Sequence, residues 1–396
     1  MPFLSVIIAL RNRDLLWSKN IVWLFISFAG FTLVIFNDAI DANFYKEYFE
    51  TMTKPDYSLD LFYNKLYSSD FDARYDIYHP LLSFLISRIT DNYHVFFGFV
   101  GLIFGYFYSR NLWFIFNNLN LKITITIFLL ITIFSFTNPF WRLQSVRFWT
   151  TTQMFFFGLL PYLYSNDKKK LWACIISPLF HWAYFIPLIF ILIYKLLGNK
   201  TKLYYCFFII SFFISSINLQ RLQLLGNKYL PSILKNKVDS YINPDYQQEI
   251  LNSSKEISLI NSIYRFSEDI FIVLIVSFLF FYCYKYIKEK LFLNNLFNFT
   301  IFLLSLGFLF TNITSLARFL DLAKMFFYVM VIFSLQHPII NFKSKKLLSL
   351  SLPILILLAI APLRIGIYYL SVNTLFGNVF FYFFDRIDLT IYDLIF

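Results

Sequence analysis

Apolar runs of about 16–24 residues recur from one end of the chain to the other, near the 20 or so that a crossing helix needs. Short polar or basic segments close them. The strict alternation of barrel strands is missing, so the pattern predicts helices. The first span runs roughly from Asn20 to Phe36. It exits into NDAIDANFYKEYFE and a polar stretch reaching to about Tyr78. YHPLLSFLISRIT, residues 78–90, is too short to cross and predicts a half-helix with Pro80 near its start. Further spans are expected at Val95–Phe116, Ile123–Thr137 and Phe148–Tyr164. Leu171–Leu197 could cross once, yet Lys168–Lys170 precede it and Lys195, Lys200 and Lys202 follow it. Basic flanks on both sides favour a hairpin broken near Pro178 and His181, with a single crossing as the alternative. Leu203–Ile217, Phe266–Tyr284, Leu296–Leu316, Met325–Ile340 and Leu347–Tyr369 follow, and a last apolar piece at Leu370–Phe384 is read as a returning segment.

The fold class predicted is therefore all-α. It is a polytopic helical integral membrane protein with about 10–12 membrane segments, short or re-entrant helices included. Residues 1–396 form a single transmembrane domain on this reading. Two stretches stand outside the spans. Residues 38–92 make an acidic loop with the half-helix, and ten Asp/Glu against five Lys/Arg lie between Asp38 and Asp91. Residues 218–265 make a long loop punctuated by Pro231 and Pro244, of the kind that often acts as a lid. The chain shows no repeat of fixed period and no inverted pair of broken helices of the sort transporters carry.

Composition agrees. The chain is 59% hydrophobic and only 14% charged, with a mean hydropathy of +0.62, well outside the soluble range. The net charge of +11 suggests nucleic acid at first sight. In a membrane chain, excess Lys and Arg mark cytoplasmic loops instead, so no nucleic-acid partner is expected. Arg11, Arg13 and Lys19 place the N-terminus in the cytoplasm, with the first span as an uncleaved insertion signal. The acidic loop then falls outside, and Asp38, Asp41, Arg142, Arg147, Arg318 and Arg364 all land on that outer side. Cys174, Cys206 and Cys283 lie in apolar runs without metal-ligand spacing. No Gly-rich phosphate loop, HExxH, nucleophile elbow or DxD pair is present, so no metal and no cofactor are expected.

The stretch Asn138–His181 concentrates the candidate chemistry. Arginine near a bilayer is costly unless it snorkels, pairs or faces a polar cavity. Arg142 and Arg147 stand just before an apolar run; five residues apart, they would lie roughly 140° around a helix. A guanidinium grips phosphate oxygens as a planar fork and keeps its charge, so both arginines, with Arg318, are candidates for a lipid phosphate or pyrophosphate. The bland alternative is snorkelling to headgroups. His181 is either a buried neutral imidazole or a general base or donor to substrate. Asp38 and Asp41 end the first span and are either ordinary loop acids or the group that takes a proton from a sugar hydroxyl.

Read in order, these segments form a pattern: DAIDANFYKEYF, YHPLLSFLIS, R-x4-R before a span, a Lys-rich turn, SPLFHWA, and late in the chain LARFLDLAKMFFY. The pattern resembles the EpsG family of polysaccharide polymerases, related in role to the Wzy-type O-antigen and capsule polymerases. The family's R-Q-x-x-A run corresponds here to Arg147-Phe148-Trp149-Thr150-Thr151, without its Gln and Ala, and its acidic EP corresponds to His79-Pro80. Arg147 and His181 match best, followed by Asp41, Tyr45 and Arg318. The resemblance implies a metal-independent glycosyltransferase in the bacterial cytoplasmic membrane, with its site toward the periplasm or cell exterior. It would polymerise undecaprenyl-pyrophosphate-linked oligosaccharide repeat units into a surface polysaccharide such as capsule or lipopolysaccharide O-antigen. On this reading Arg147, His181 and Asp41 are catalytic, Arg142, Arg147 and Arg318 bind pyrophosphate, and Asp38 and Tyr45 bind sugar. Membrane lipids, a flippase and a chain-length regulator are the partners implied. The alternatives are a transporter or flippase of lipid-linked sugars, and a glycan ligase or acyltransferase.

Overall fold

The computed structural model describes residues 1–35, 40–67, 76–120, 122–213, 259–311, 313–378 and 389–395. In chain order the helices are α1 (Pro2–Arg11), α2 (Ser18–Phe31), α3 (Ile40–Met52), α4 (Leu59–Tyr67), α5 (Tyr78–Ser87), α6 (Tyr93–Asn117), α7 (Ile125–Thr137), α8 (Phe148–Ser165), α9 (Trp172–Phe180), α10 (Phe185–Leu197) and α11 (Thr201–Phe213). They continue with α12 (Leu259–Phe278), α13 (Tyr284–Glu289), α14 (Leu291–Leu309), α15 (Thr314–Ala317), α16 (Phe319–Ser334), α17 (Pro338–Leu350), α18 (Leu352–Tyr369), α19 (Val372–Phe376) and α20 (Ile391–Ile395). Among the described residues the β pairing is an isolated bridge between Ser371 and Thr390. Among the described residues, five helices are long and apolar enough to cross a membrane, six if the bent pair α16–α17 counts as one span, and four shorter apolar helices accompany them. The chain is an all-α polytopic membrane protein.

It divides into two compact units. Unit 1 comprises Met1–Leu119, Asn138–Ile189 and Pro362–Phe396, and unit 2 comprises Asn120–Thr137 and Phe190–Ala361. In unit 1, α2 lies along α6 at a distance only glycine allows. A Cβ on Gly30 would fall 2.2 Å from the Phe97 carbonyl oxygen, and one on Gly101 would fall 2.6 Å from that of Ile26. Small residues at such a contact are the usual means of close helix packing in lipid. The indole of Trp23 donates to the Leu102 carbonyl at 2.6 Å, and Ser27 Oγ donates to that of Gly98 at 3.0 Å. On another face of α6, Asn111 Nδ2 donates to the Gln153 backbone and side-chain oxygens on α8 at 2.9 and 2.8 Å. Gln153 passes the chain on to the Asn138 carbonyl at 3.2 Å. A buried amide without partners is expensive in an apolar interior, and this relay satisfies both.

Two helices of the polar stretch, α3 and α5, pack against this arrangement. The ring of Phe49 on α3 stacks on Phe96 of α6 at 5.1 Å, and Tyr78 of α5 stacks on Phe180 of α9 at 4.3 Å. The Ile77 N–H donates to the Leu179 carbonyl at 2.9 Å. Arg88 closes the C-terminal end of α3 by donating to the carbonyls of Met52 and Tyr57, where a cation is favoured by the helix dipole. The half-helix expected at 78–90 is thus α5, anchored on both sides rather than lying loose.

Unit 2 is built round α16, whose residues from Phe319 to Ser334 are buried except Asp321. It packs against α14 and α7, and α11 packs against α14. Two expected boundaries move. The span placed at Met325–Ile340 begins at Phe319, takes in Asp321 and Lys324, and ends at Ser334 before a 117° bend into α17. The reading kept charges out of the span, but Lys324 is neutralised by Glu268 at 2.6 Å, which removes the penalty that reading rested on. Residues 259–265, assigned to the long loop, form the first turns of α12, while 214–258 lie outside the described residues. At 370–384, where a returning segment was expected, the described part holds only the five-residue α19. The segment at 171–197 does break at His181, whose backbone is extended (φ −151°, ψ 117°) between α9 and a short 3-10 turn leading into α10.

Candidate functional site

The Arg142–Arg147 segment is not one continuous helix. Pro139 leads into a 3-10 turn over Phe140–Ser145, and α8 starts at Phe148 with Arg147 at its N-cap. A turn that changes direction within a few residues can set neighbouring side chains to different tasks. Arg142 lies flat against its own segment, its guanidinium carbon 3.9 Å from the centre of the Trp149 ring, a cation–π contact. Arg147 turns inward. Its Nε donates to Tyr45 Oη at 2.9 Å, and its Nη1 donates to both carboxylate oxygens of Asp76 at 2.9 and 2.8 Å. Among the described residues these bonds leave Nη2, with its two hydrogens, as the unused edge of the fork.

One face of α3 supplies the other half. Asp41 and Tyr45 are four residues apart, hence one above the other on a helix. Asp41 Oδ2 accepts from Ser145 Oγ at 2.6 Å, and Tyr45 accepts from Arg147. Two rungs therefore join α3 to the turn before α8. Asp41 is exposed and Tyr45 is buried, so the pair runs from the surface inward. His79, fully buried on α5, packs edge-on against Tyr45 at 4.6 Å and also lies 4.6 Å from Tyr48. It braces the tyrosine that holds the arginine.

The electrostatics follow from burial. Burial works against the charge of Arg147, and the oxygens of Tyr45 and Asp76 more than restore it, so the guanidinium ends above its ordinary value. Burial raises the Tyr45 phenol above its ordinary value, partly offset by Arg147. Tyr45 thus stays neutral, and because it accepts from Arg147 its own hydrogen is available to a third group. Burial likewise pushes the Tyr78 phenol up.

His181 reaches the same part of the unit by packing. Phe148, the residue after Arg147, meets the imidazole edge-on at 5.3 Å, and Tyr184 lies 5.5 Å from Phe148. Tyr184 is fully buried, with its hydroxyl 2.5 Å from that of Thr152 on α8. His181 Nδ1 accepts from the Ala183 N–H at 3.2 Å. In the neutral ring that bond leaves the hydrogen on Nε2, which makes His181 a donor at its other edge.

Of the residues singled out in the sequence, unit 1 brings Arg147, Tyr45 and Asp41 into one linked group, with His181 one aromatic ring away. Arg142 stands beside them on Trp149. Arg318 belongs to unit 2, exposed at the start of α16. Asp38 lies outside the described residues. Arg364 is exposed on α18. Sequence reading passed over Asp76 and Ser145. Asp76 is one of ten acids between Asp38 and Asp91, and nothing in its local pattern marks it as the one buried against an arginine 71 positions away. The signal that could have raised it is its place directly before the apolar half-helix, where a free carboxylate is unfavourable.

No curated protein and no solved structure matches the chain. The model of the EpsG family does match it, over residues 20–372, which runs from the third residue of α2 to the first residue of α19 and takes in every site residue described. On that match, which agrees with the all-helical membrane fold, the chain belongs to the EpsG family.

Proposed function

We propose that this protein, as a membrane protein of polysaccharide biosynthesis, is a polymerase that moves a growing glycan from one undecaprenyl pyrophosphate carrier onto a second lipid-linked repeat unit. The site would face the outer side of the cytoplasmic membrane, where such units are displayed. The observation that carries the reading is Arg147: a half-buried, permanently charged guanidinium fixed on two edges and open on the third among the described residues. In glycosyl transfer the bond between the anomeric carbon and the carrier's phosphate oxygen breaks as the acceptor oxygen bonds to that carbon. Negative charge grows on the departing pyrophosphate. Donors already aimed at that charge lower the barrier without having to reorganise, and no metal is needed for that step.

The remaining roles follow from which groups are already committed. Asp76 spends both oxygens on Arg147, so it positions the arginine. Among the described residues Asp41 accepts only from Ser145; it is exposed, and is the carboxylate we assign to take the acceptor's proton. His181, which packs on Phe148 next to Arg147, is assigned to the substrate as a donor. Arg142, already packed on Trp149, adds positive charge for the carrier's phosphates. Sugar selection is assigned to residues 38–76 and 218–265. The membrane keeps donor and acceptor in one plane, which lowers the cost of bringing them together.

The test is a gel of surface polysaccharide from a deletion strain complemented with wild type, Arg147→Ala, Arg147→Lys and His181→Ala at matched expression. Single lipid-linked units without a ladder in the deletion, rescued by wild type and not by Arg147→Ala, support the polymerase. Loss of all units from the outer face in the deletion means export, and the transporter reading replaces it.

A further inference from the structure

Unit 1 holds a second arginine that the proposed chemistry does not use. Arg110 is half-buried on α6, a crossing helix, where a guanidinium is costly unless something offsets its charge. Its Nη1 donates to Ser109 Oγ at 2.9 Å and its Nη2 to Asn20 Oδ1 at 2.8 Å. The guanidinium carbon lies 4.3 Å from the centre of the Tyr106 ring and 4.6 Å from that of Trp23, and the Tyr106 phenol accepts a further bond. Every one of these partners is neutral, and they use at most three of the five guanidinium hydrogens.

More positive charge stands beside it. Phe157 of α8 lies edge-on to Tyr106 at 6.2 Å, and Lys170 Nζ sits 4.6 Å over the Phe157 ring. Lys19, the residue before Asn20, is close enough to Lys170 to act on its charge. The acid of this group is Asp167, whose Oδ1 caps the Lys169 N–H at 2.9 Å. Arg110, Lys19 and Lys170 against Asp167 leave a net positive charge, which favours an anion over a cation or a neutral group. Trp17 and Trp172, each two residues from one of these lysines, are exposed, as tryptophans at a membrane–water interface are.

An apolar groove of about 460 Å³ opens from the same place. Leu24, Ser27 and Phe31 of α2 face Val95, Gly98 and Leu102 of α6 across it. Asn20 lies four residues before Leu24, Tyr106 four after Leu102, and Arg110 four after that, so the groove and the arginine share one side of the helix pair. Trp23 closes the end, donating to the Leu102 carbonyl and meeting Tyr106 edge-on at 5.6 Å. A cation at the end of an apolar groove matches an amphipathic anion, a phosphate joined to hydrocarbon. A free phosphate would leave the groove empty, and an uncharged lipid would leave the guanidinium uncompensated. Phe157 is ten residues beyond Arg147, about 15 Å along α8, so the phosphates of a carrier held at Arg147 do not reach this cluster.

We propose that α2 and α6 hold one anionic phospholipid of the bilayer, its phosphate on Arg110 with Lys19 and Lys170 adding positive charge, and one acyl chain along the groove between Leu24 and Leu102. The site lies wholly within unit 1 and does not rest on the polymerase reading. By filling the space between the two helices, such a lipid would support the close contact at Gly30 and Gly101.

The test uses the full-length protein, delipidated in mild detergent and titrated with dioleoyl phosphatidylglycerol or dioleoyl phosphatidylcholine under native mass spectrometry. Wild type is expected to retain phosphatidylglycerol about tenfold more tightly than phosphatidylcholine, the effect of a charge-assisted hydrogen bond. Arg110→Gln is expected to lose that preference. Lys19→Gln/Lys170→Gln, which leaves the side chains around Arg110 in place, is expected to reduce it at low salt. Leu24→Trp, at an exposed position lining the groove, is expected to weaken both lipids alike. Equal retention of the two lipids by wild type overturns the proposal, as does a preference that survives in folded Arg110→Gln. If Arg110→Gln fails to fold, the other two variants decide, and unchanged binding by both overturns it. Undecaprenyl phosphate held more tightly than phosphatidylglycerol by wild type, and released by Arg110→Gln, would make this a carrier site and also overturn it.

Discussion

Asp76 gives both carboxylate oxygens to a single nitrogen of Arg147, at 2.9 and 2.8 Å, across 71 residues of chain. The side chains are 4% and 19% exposed. A fork that used both of its terminal nitrogens on the carboxylate would be a closed ion pair. This one leaves Nη2 open, so the same contact that neutralises and orients the arginine keeps a donor available for an anion.

Removing Asp76 should therefore cost structure as well as activity. Breaking a buried pair from one side typically destabilises by about 3–5 kcal/mol, because a charge is left behind. We expect Asp76→Ala to lower the thermal unfolding midpoint in detergent by several degrees, and Asp76→Asn to lower it less. The Asp76→Ala/Arg147→Ala double variant should be less destabilised than the two single losses combined. Additive losses in that cycle would show that the contact carries no coupling.

Arg147→Lys tests the fork directly. A lysine is a point charge on a flexible stem and cannot meet Tyr45, Asp76 and a ligand at fixed angles. The protein should fold to near wild-type levels, since the charge opposite Asp76 persists, yet lose at least about tenfold in polymer formed per molecule. Full activity of the lysine variant would reduce Arg147 to a simple counter-ion.

Tyr45 ties the site to pH. Its folded value lies above the ordinary 10.0 because burial disfavours the phenolate. A raised value means that the contribution to stability is complete below the unfolded value and is lost as pH rises through the folded one. The unfolding midpoint should thus show no slope from this group up to about pH 9 and should fall above about pH 10. In Tyr45→Phe the alkaline fall should be shallower. An unchanged alkaline limb in the phenylalanine variant would remove Tyr45 from that transition.

Gly101→Leu addresses the scaffold without touching the site. A Cβ there would lie 2.6 Å from the Ile26 carbonyl oxygen and 3.0 Å from the Ser27 Cα, both backbone, so the helices must separate. The Trp23 and Ser27 bonds to α6 would go with them. We expect a marked drop in folded protein recovered in detergent, whereas Gly198→Ala, at a position with open space around it but φ +65°, should show only the modest cost of a left-handed residue. Normal recovery of Gly101→Leu would mean that α2 and α6 are not in close contact.

Much of the membrane architecture was legible because it is written locally. A run of apolar residues states its own hydrophobicity, and Pro80, Pro178 and the basic clusters mark ends and turns without help from distant residues. The half-helix at α5 and the break at His181 were readable on those grounds. Boundaries failed where a distant partner changed the local energy. Lys324 looks like the end of a span until Glu268, 56 positions earlier, neutralises it.

By itself, then, the sequence determined a helical polytopic membrane protein, the family pattern, and the short list headed by Arg147, His181, Asp41 and Tyr45. Tertiary structure alone decided that α7 belongs to a different unit from the segments on either side of it, which acid among ten meets Arg147, and that Tyr45 is the arginine's second anchor. The reason is range. Hydropathy and helix periodicity are set by neighbours a few residues away, whereas an ion pair depends on two side chains brought together by packing, and a charge gives no sign in its own surroundings of which partner it will meet.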